Sequence, residues 1–448
     1  MLRSTSPYFE RITNQAGATV ILVGLLMVIF MGFAALAVDI GHLYLVRNEL
    51  QNASDAGALA GARVLYTEDG TEVNEGANAT AYDAAVANQS EKTSVDVHWS
   101  GGNSGDIERG HWSFATRTFT PNDSTVPVDL WNATAEELDA NLDFINAVRV
   151  RARRQDTPAA SFFGRIFGYN NFILSAESVA YIGFAGTLAP AEVDQPIAIC
   201  YSAIMNGGRF DCVTGRMMNS GNDPSSHNTA AWTNFSQPCE TASGSEMRSL
   251  VCGEGNPESI SLGTDMGATN GVQDVTYRDL RDCWLNGLTD IDGDNIPETP
   301  VDSDGDGIPD QPWGLTLPVI DCCGGLDEDG MPIDCDDIIV GNCQAIVGAV
   351  EIKVLWMTKS GTGQNDLSVP GNFPIRMGSW TCSDPATGTT CWNEFTAYFH
   401  LQDWGDNSVG LPQIKSMYFH PDCTPHIPTG RTGGVNTGIL ARIPVLVK

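Results

Sequence analysis

A long uncharged, apolar run near the N-terminus limits what this chain can fold into. No side chain from Ile12 to Val38 carries a charge, and the 22 residues from Gly17 to Val38 are almost continuously apolar. At a rise of about 1.5 Å per residue, a helix of this length crosses a hydrocarbon core of about 30 Å. The segment therefore predicts a helix that spans a membrane.

Charges on either side of the run predict its orientation. Arg3 and Arg11 precede it and Asp39 follows it, so the positive-inside rule places the short N-terminus in the cytoplasm and the rest of the chain outside. The alternative is a cleaved signal peptide, with residues 35–37 as a small-x-small cleavage site. A retained anchor is favoured, because the run exceeds the usual signal core of about 7–15 residues and helical periodicity continues beyond it.

That periodicity lies beyond Asp39. Apolar or small residues recur every three or four positions, at Leu43, Val46, Leu50, Ala53, Gly57, Ala60 and Val64. This spacing predicts that the helix leaves the membrane and continues to about residue 65, for a total length of about 70 Å. The stripe of small and apolar residues beyond Asp39 either docks on the protein's own domain or packs against similar helices of other subunits, since small residues allow close approach.

The helix and its continuation resemble a known family. Residues 17–62 are similar to the N-terminal module of TadG-like proteins of the Flp (tight adherence) pilus assembly system, in which an apolar helix ends in a D-x-G-x-x-Y-x-x-x-x-x-L-Q-x-A-x-D-A-A-A-L-A run. The matching residues are Asp39, Gly41, Tyr44, Leu50, Gln51, Ala53, Asp55, Ala56, Ala58, Leu59 and Ala60. Gly57 stands where the family has an alanine. Residues 147–182 resemble, more loosely, the region that closes the first extracytoplasmic part of such proteins.

The resemblance implies a single-pass protein of the bacterial inner membrane, with its C-terminal domains periplasmic or surface-exposed. Its partners would be other Tad/Flp assembly proteins or pseudopilins, contacted through the N-terminal helix, and it could form a homo-oligomer. Prepilin-peptidase processing is not expected, because the comparable site is Gly17-Ala18 and the fifth residue after it is Leu22 instead of Glu. The D-x-S-x-S metal motif of the family's von Willebrand A-type members does not occur, so their adhesive mechanism is not transferred.

Charge and cysteine content narrow the class of protein. The chain has 24 basic and 55 acidic residues, a net charge of −31, which argues against a nucleic-acid ligand held by phosphate neutralisation. All 12 cysteines lie at or beyond Cys200, as expected for disulfides confined to one exported domain. Their spacings contain no C-x-x-C pair and do not indicate zinc, and the disulfide pairing is left open by the sequence.

Two acidic stretches repeat 12 residues apart. Each follows the pattern D-x-D-G-D-x-I-P-[ED], and their acids are Asp290, Asp292, Asp294, Glu298, Asp302, Asp304, Asp306 and Asp310. Oxygen ligands at alternate positions suit a hard cation, and the glycines let the backbone wrap tightly around it. We therefore predict that these residues bind Ca²⁺. The full EF-hand signature fails, because Val301 and Trp313 occupy the positions of its bidentate glutamate.

The acidic repeat resembles the calcium-binding aspartate-rich repeats of thrombospondin type 3 modules. A degenerate acidic patch follows at 327–337, and no basic residue lies between Arg281 and Lys353. A calcium-ordered structural staple is favoured over a calcium bridge to a surface or partner and over a solvated acidic linker. Neighbouring cysteines could hold the segment at both ends: Cys283, Cys322, Cys323, Cys335 and Cys343.

The middle of the chain alternates between helical and extended patterns. Residues 146–153 alternate strictly and place Arg149, Arg151 and Arg153 on one strand face, next to Arg154. This basic cluster is either a contact for an acidic partner or lipid headgroups, or, as favoured, a solvated face that balances local acids. Further predicted elements are a helix over 75–89, strands over 95–99, 110–119 and 172–184, and a short apolar helix over 161–167.

The combined prediction is an α+β protein in three parts. Residues 1–66 form the cytoplasmic tip, membrane helix and helical extension, 67–188 an extracytoplasmic α+β domain, and 189–448 a cysteine-rich, β-rich domain that contains the acidic loop 290–337. Residues 438–447 are expected to close a sheet, and four tryptophans are expected in the core: Trp232, Trp284, Trp356 and Trp380.

The function predicted from these parts is structural. The common hydrolase, nucleotide-binding and metalloprotease motifs are missing, so we expect a membrane-anchored accessory protein of pilus assembly and not an enzyme. Two alternatives stay open, namely a filament-incorporated or surface-displayed adhesive subunit, and an exported enzyme.

Overall fold

The structure is a computed structural model of the chain. It describes residues 15–67, 72–130, 133–206, 209–210, 218–219, 230–240, 243–269, 273–286, 312–321, 343–359, 366–369, 371–377, 380–401, 412, 415–421 and 423–448.

The N-terminal helix α1 runs from Gln15 to Arg63 without a break. No proline, the residue that most often breaks a helix, occurs within these bounds. The predicted long helix is therefore confirmed. Its first half extends away from the folded parts of the protein, and its second half packs on the first of them.

Residues 64–181 supply the remaining elements of the first folded unit. These are α2 (Ala77–Val86), β1 (Gln89–Ser90), β2 (Thr93–Ser94), β3 (Ile107–Ser113), β4 (Thr118–Pro121), α3 (Ala135–Ala140), β5 (Ala147–Ala160), a 3-10 turn (Gly164–Phe167) and β6 (Asn171–Tyr181). The strand predicted at 110–119 is split into β3 and β4, because the chain reverses near Arg117, which has a left-handed φ of 53°. The short helix predicted at 161–167 is only the 3-10 turn.

The first unit is built on an antiparallel sheet of order β21-β6-β5-β3-β4. Its edge strand β21 (Val445–Leu446) comes from the C-terminus and pairs with Tyr181 and Ala180 of β6. Of residues 438–447, which were expected to close a sheet, Val445–Leu446 form the strand, and they join the sheet of the first unit instead of one within 189–448. Helices α1 and α2 cover one face of this sheet, where small helical residues pack on β5 side chains.

The remaining elements belong mainly to the second folded unit. They are β7 (Thr187–Leu188), β8 (Ile197–Cys200), α4 (Tyr201–Ile204), β9 (Met205–Asn206), β10 (Arg209–Phe210), β11 (Met218–Asn219), β12 (Ala230–Thr233), α5 (Gly244–Leu250), β13 (Ile260–Ser261), β14 (Asp265–Thr269), α6 (Asp274–Asn286), β15 (Trp313–Ile320), β16 (Cys343–Met357), β17 (Arg376–Met377), β18 (Trp380–Thr381), α7 (Gly388–Tyr398), β19 (Ser416–Phe419) and β20 (Thr424–Pro425).

The main sheet of the second unit closes on itself. Strand β16 pairs with β14, β14 with β12, β12 with β8, β8 with β15, and β15 again with β16. The β8–β15 pairing is parallel and the others are antiparallel. Strands β20 and β19 pair with the later part of β16, at residues 350–351 and 354–357, along the edge that faces away from β15. Because a closed ring has no free edge strand, this part of the unit is protected against edge-to-edge pairing.

A large aromatic core fills the second unit. Trp232, Trp284, Trp356 and Trp380 are all buried there, with at most 6% of their surface exposed. Trp284 of α6 meets Trp356 of β16 edge to face, with ring centroids 5.2 Å apart, the preferred geometry of an aromatic pair. The predicted core role of these four residues is confirmed.

Disulfides tie the described parts of the second unit together. The pairs are Cys239–Cys343, Cys252–Cys283 and Cys382–Cys391, and Cys200 and Cys423 are also disulfide-bonded. Cys283 lies in α6, just before residues 287–311, and Cys343 begins β16, just after residues 322–342. Two cysteines expected to hold the acidic region therefore attach both of its ends to the folded unit.

A half-buried histidine makes the stability of the second unit depend on pH. His426 donates from Nδ1 to Glu351 Oε1 at 2.9 Å, and its Nε2 lies 3.9 Å from Glu192 Oε1. Burial alone would lower the pKa of His426, but the two carboxylates outweigh it and raise the pKa to about 9. Glu192 also accepts from the backbone N–H groups of Ala189 and Thr429. The charged imidazole is thus held by one hydrogen bond to Glu351 and by the nearby charge of Glu192.

We expect the second unit to lose stability as pH rises from about 6.5 through 9. A group whose pKa is raised by folding contributes fully below its ordinary pKa and loses that contribution as pH passes the raised value. The loss should be about 1–3 kcal/mol, measured by denaturant unfolding of the full chain in detergent at several pH values. His426→Gln should flatten this pH dependence, and an unchanged slope in that variant would show that another group is responsible.

Candidate membrane-anchoring site

The first half of α1 presents apolar side chains to its surroundings. The large hydrophobic residues exposed between Val20 and Leu45 have 41–72% of their surface uncovered. Within the described part of the chain, α1 is the one helix long and apolar enough to cross a membrane. The first exposed charged side chain that follows on this helix is Arg47. An exposed surface of this kind is stable in lipid and unfavourable in water.

The second half of α1 docks on the protein's own sheet. Val46, Leu50 and Ala53 are fully buried against Ala152, Ala159 and Ala176, side chains of strands β5 and β6. The predicted small-residue stripe therefore covers its own domain, as favoured, and is not free to pack against other subunits.

Two glycines allow the close contact between α1 and α2. A Cβ on Gly57 would lie 2.9 Å from the carbonyl oxygen of Ala81 and 2.9 Å from Ala85 Cβ. A Cβ on Gly61 would lie 2.8 Å from Ala81 Cβ. At position 57, where the family has an alanine, this chain thus needs a glycine because α2 packs too close for a side chain.

Asp39 joins the end of the apolar run to a distant hairpin. Its carboxylate accepts from the Ser161 hydroxyl at 2.8 Å and from the backbone N–H groups of Phe162, Phe163 and Gly164 at 2.9, 3.2 and 2.7 Å. These residues belong to the turn between β5 and β6. Asp39 is only 6% exposed, and a buried carboxylate needs hydrogen-bond partners. These four donors satisfy its oxygens.

A second polar junction lies three turns further along α1. Gln51 Nε2 donates to Asp55 Oδ1 and to Ser178 Oγ, both at 2.8 Å, and Ser178 in turn donates to Asp55. The Ser54 hydroxyl lies 2.7 Å from Ser178 Oγ. The polar residues of the L-Q-x-A-x-D run are thus connectors between α1 and β6.

A third junction connects α1 with the β1–β2 turn. His42 Nε2 lies 2.6 Å from Glu91 Oε1, and Glu49 Oε2 accepts from the Ser90 hydroxyl at 2.9 Å and the Glu91 N–H at 3.0 Å. Arg154 donates to the Glu91 carboxylate at 3.0 Å. With three polar junctions and a buried apolar stripe, the helix is fixed to the domain that it carries.

The arginines of β5 are paired within the first unit. Arg149 contacts Glu108, Arg151 contacts Glu177, Arg153 contacts Asp106 and Arg154 contacts Glu91. The balance with local acids is confirmed, but the expected solvated face is not: Arg149, Arg151 and Arg153 are half-buried and Arg154 is buried. Sequence periodicity located the strand correctly.

The predicted calcium site lies outside the described residues. All eight acids, from Asp290 to Asp310, fall within residues 287–311, and the degenerate patch 327–337 falls within 322–342. Among the residues that the structure does describe, no group of three or more His, Cys, Asp or Glu side chains is placed to hold a metal ion.

The exposed turn between β5 and β6 was not recognised from the sequence. Its apolar residues were expected to form a short helix, but they lie around a 3-10 turn in which Phe162, Ile166, Phe167 and Tyr169 are exposed. The sequence signal that indicates an exposed turn here is a cluster of aromatic residues around two glycines. The cluster lacks the alternation that a half-buried strand would need.

We expect that Asp39→Ala loosens this turn. The substitution leaves the Ser161 hydroxyl and the N–H groups of residues 162–164 without their acceptor, and unpaired buried donors are costly. Amide hydrogen exchange at 161–167 should become about tenfold faster or more, while exchange in β3 stays unchanged.

Asp39→Asn is the matched control for this change. It keeps one carbonyl oxygen in place and should give an intermediate rate of exchange. Equal exchange in the original chain and in Asp39→Ala would mean that Asp39 does not hold the turn.

Comparison with known families matches the N-terminal part of the chain. Residues 17–64 match a family described as Flp pilus-assembly TadE/G-like, and residues 60–180 match one described as Tad-like Flp pilus-assembly. Together the matches span α1 and the first unit up to β6. No curated protein and no solved structure matches the chain.

Proposed function

We propose that this chain, whose residues 17–64 and 60–180 match Tad-type families of Flp pilus assembly, is a structural or accessory protein of that assembly, anchored in the bacterial inner membrane. The observation that carries the proposal is the division of α1 into an exposed apolar half and a half fixed to the first unit. A helix divided in this way anchors a rigid extracytoplasmic body.

The proposed orientation places the two folded units outside the cytoplasm. The arginines before the apolar run favour a cytoplasmic N-terminus, and disulfides in the second unit suit an oxidising compartment. The units would lie in the periplasm, or reach the cell surface with the assembled pilus.

Contacts with other Tad components would fall on the membrane half of α1. The stripe of α1 beyond Asp39 is already covered by the protein's own sheet. This leaves the exposed residues of the apolar run for helix–helix contacts. A Cβ added to Gly24 or Gly32 would have no other atom within 4 Å, and small residues permit close approach of helices in lipid. Other pilus-assembly proteins, pseudopilins or a second copy of this chain are the proposed partners.

Calcium is part of the same proposal. The repeated acidic pattern supplies oxygen ligands at calcium-site spacing, and a loop with this charge would repel itself without cations. Both ends of the acidic region are attached to the second unit, through Cys283 and Cys343. Bound Ca²⁺ would order Asp290–Asp310 as a structural staple between α6 and β15.

Membrane fractionation with protease protection tests the anchor and its orientation. In intact spheroplasts, external protease should digest the two folded units of the membrane-bound chain. Phe30→Arg places a charge midway along the apolar run, where it opposes insertion by about 3 kcal/mol, and should reduce the membrane-bound fraction. Tyr44→Arg, at the outer end of the exposed surface, is the control and should remain bound. Recovery of the original chain in the soluble fraction would contradict the proposal.

A further inference from the structure

We propose that the turn between β5 and β6, residues 161–170, inserts into the outer interface of the membrane that α1 spans and forms a second lipid contact. This inference rests on the proposed anchor, since it requires that α1 crosses the bilayer. It assigns a role to the exposed side chains of a hairpin turn whose backbone already binds Asp39.

The turn exposes an unusual density of large apolar side chains. Ile166 and Phe167 are 75% and 78% exposed, Tyr169 is 65% exposed, and Phe162 is 49% exposed. Ile173, at the start of β6, adds another exposed apolar side chain. Contiguous exposed apolar residues on a folded domain mark an interaction surface.

The hydrogen bonds of Asp39 fix the position of this turn relative to the membrane helix. They hold Phe162, Phe163 and Gly164 directly at the end of the apolar run. The ring of Phe162 also packs against His42 of α1, with centroids 4.8 Å apart. The exposed surface of the turn is therefore continuous with the exposed surface of the helix.

The length of the helix places this junction at the edge of the bilayer. From Gly17 to Asp39 the helix rises about 33 Å, close to the thickness of a hydrocarbon core of about 30 Å. Exposed apolar residues continue to Tyr44 and Leu45, about 8 Å further. Asp39 and the attached turn consequently lie at the level of the interfacial layer.

The composition of the turn suits that layer. Residues 161–170 contain one basic residue, Arg165, and no acid, in a chain with a net charge of −31. Aromatic rings are favoured at the membrane interface, and an arginine there can contact lipid phosphates. A bilayer provides both contacts, so lipid is favoured as the occupant over a protein partner.

Two attachment points would restrict the motion of the first unit. A single helix can tilt in the bilayer and carry the attached domain with it, whereas an inserted turn beside it adds a second support. The sheet that carries β5 and β6 would then keep a fixed angle to the bilayer surface.

Site-specific photocrosslinking in the full chain, reconstituted into phosphatidylethanolamine–phosphatidylglycerol vesicles, tests the inference. A benzophenone amino acid replaces Phe167 in one variant and Phe114 in a control variant. Phe114 is 52% exposed and packs on Tyr181, at the other end of β6, about 33 Å along the strand from the turn. A third variant carries the probe at Phe33, in the exposed half of α1.

We expect lipid adducts by mass spectrometry at positions 167 and 33, with at least about fivefold less at position 114. Lipid adducts at 33 combined with a background level at 167 would overturn the inference and leave the anchor intact. Protein adducts at 167 in place of lipid adducts would overturn it in favour of a docking surface for another chain. Background labelling at both 33 and 167 would contradict the anchor and, with it, this inference.

Discussion

Gly57→Val should destabilise the first folded unit by about 3 kcal/mol. The new side chain would meet the carbonyl oxygen of Ala81 and the Cβ of Ala85 on α2, where even one added carbon lies only 2.9 Å away. Neither obstacle can rotate away, because one is backbone and the other has no rotatable bond, so the two helices must separate. Amide hydrogen exchange in α2 and β5 of the detergent-solubilised chain should become faster by about a hundredfold.

Gly41→Val is the matched control in the same helix. A Cβ at position 41 has nothing within 4 Å, and valine is at least as favourable as glycine within a helix. Its exchange rates in α2 and β5 should match those of the original chain. If Gly57→Val also leaves them unchanged, the close packing of α1 on α2 is not what holds the long helix to its domain.

Calcium should stabilise the second unit of the full chain, and a chelator should reverse the effect. With free calcium a hundredfold above the dissociation constant, the gain in unfolding free energy is about 2.7 kcal/mol. Asp304→Ala removes a predicted central ligand and should abolish most of that gain. The measurement is thermal unfolding of the detergent-solubilised chain with Ca²⁺ and with chelator. The full chain is needed because β21, at its C-terminus, pairs in the sheet of the first unit.

Asp274→Ala provides a comparison for the calcium experiment. Asp274 is also acidic but begins α6, outside the repeated pattern, so this variant should keep the calcium response. Unfolding temperatures that are equal with and without chelator in the original chain would show that residues 290–310 are not a structural calcium site.

Local patterns predicted the long helix and the arginine-bearing strand well. The helix follows from an apolar run that continues into a stripe of period 3.6, and β5 follows from strict alternation over residues 146–153. Both signals depend only on neighbouring residues. The resemblance to the pilus-assembly family was also available from the sequence, because the motif after Asp39 is contiguous.

Contacts between distant parts of the chain could not be predicted in the same way. Asp39 marked the end of the apolar run, but its partner Ser161 is 122 residues away. The parallel pairing of β8 with β15, which closes the ring of strands, joins segments separated by more than a hundred residues. The return of β21 to the first sheet likewise depends on tertiary packing.

The exposed turn at 161–170 shows a different limit. A short run of apolar residues in a folded domain is usually buried in protein, and such a run predicts a packed helix or strand. That rule fails where lipid is the solvent, because an apolar side chain is then favourable on the outside. Only the position of the turn beside the membrane helix indicates this possibility.

The mass of the mature N-terminus, measured in parallel from membranes and from sheared filaments of the native cell, decides whether this chain is an anchored assembly protein. We predict an intact N-terminus that is found in the membrane fraction and is missing from the filaments. A chain beginning at Ala18 in the filaments would contradict the anchored role and identify a pilin-like subunit. A chain beginning at Val38 would also contradict it, because the anchor would then be a cleaved signal peptide.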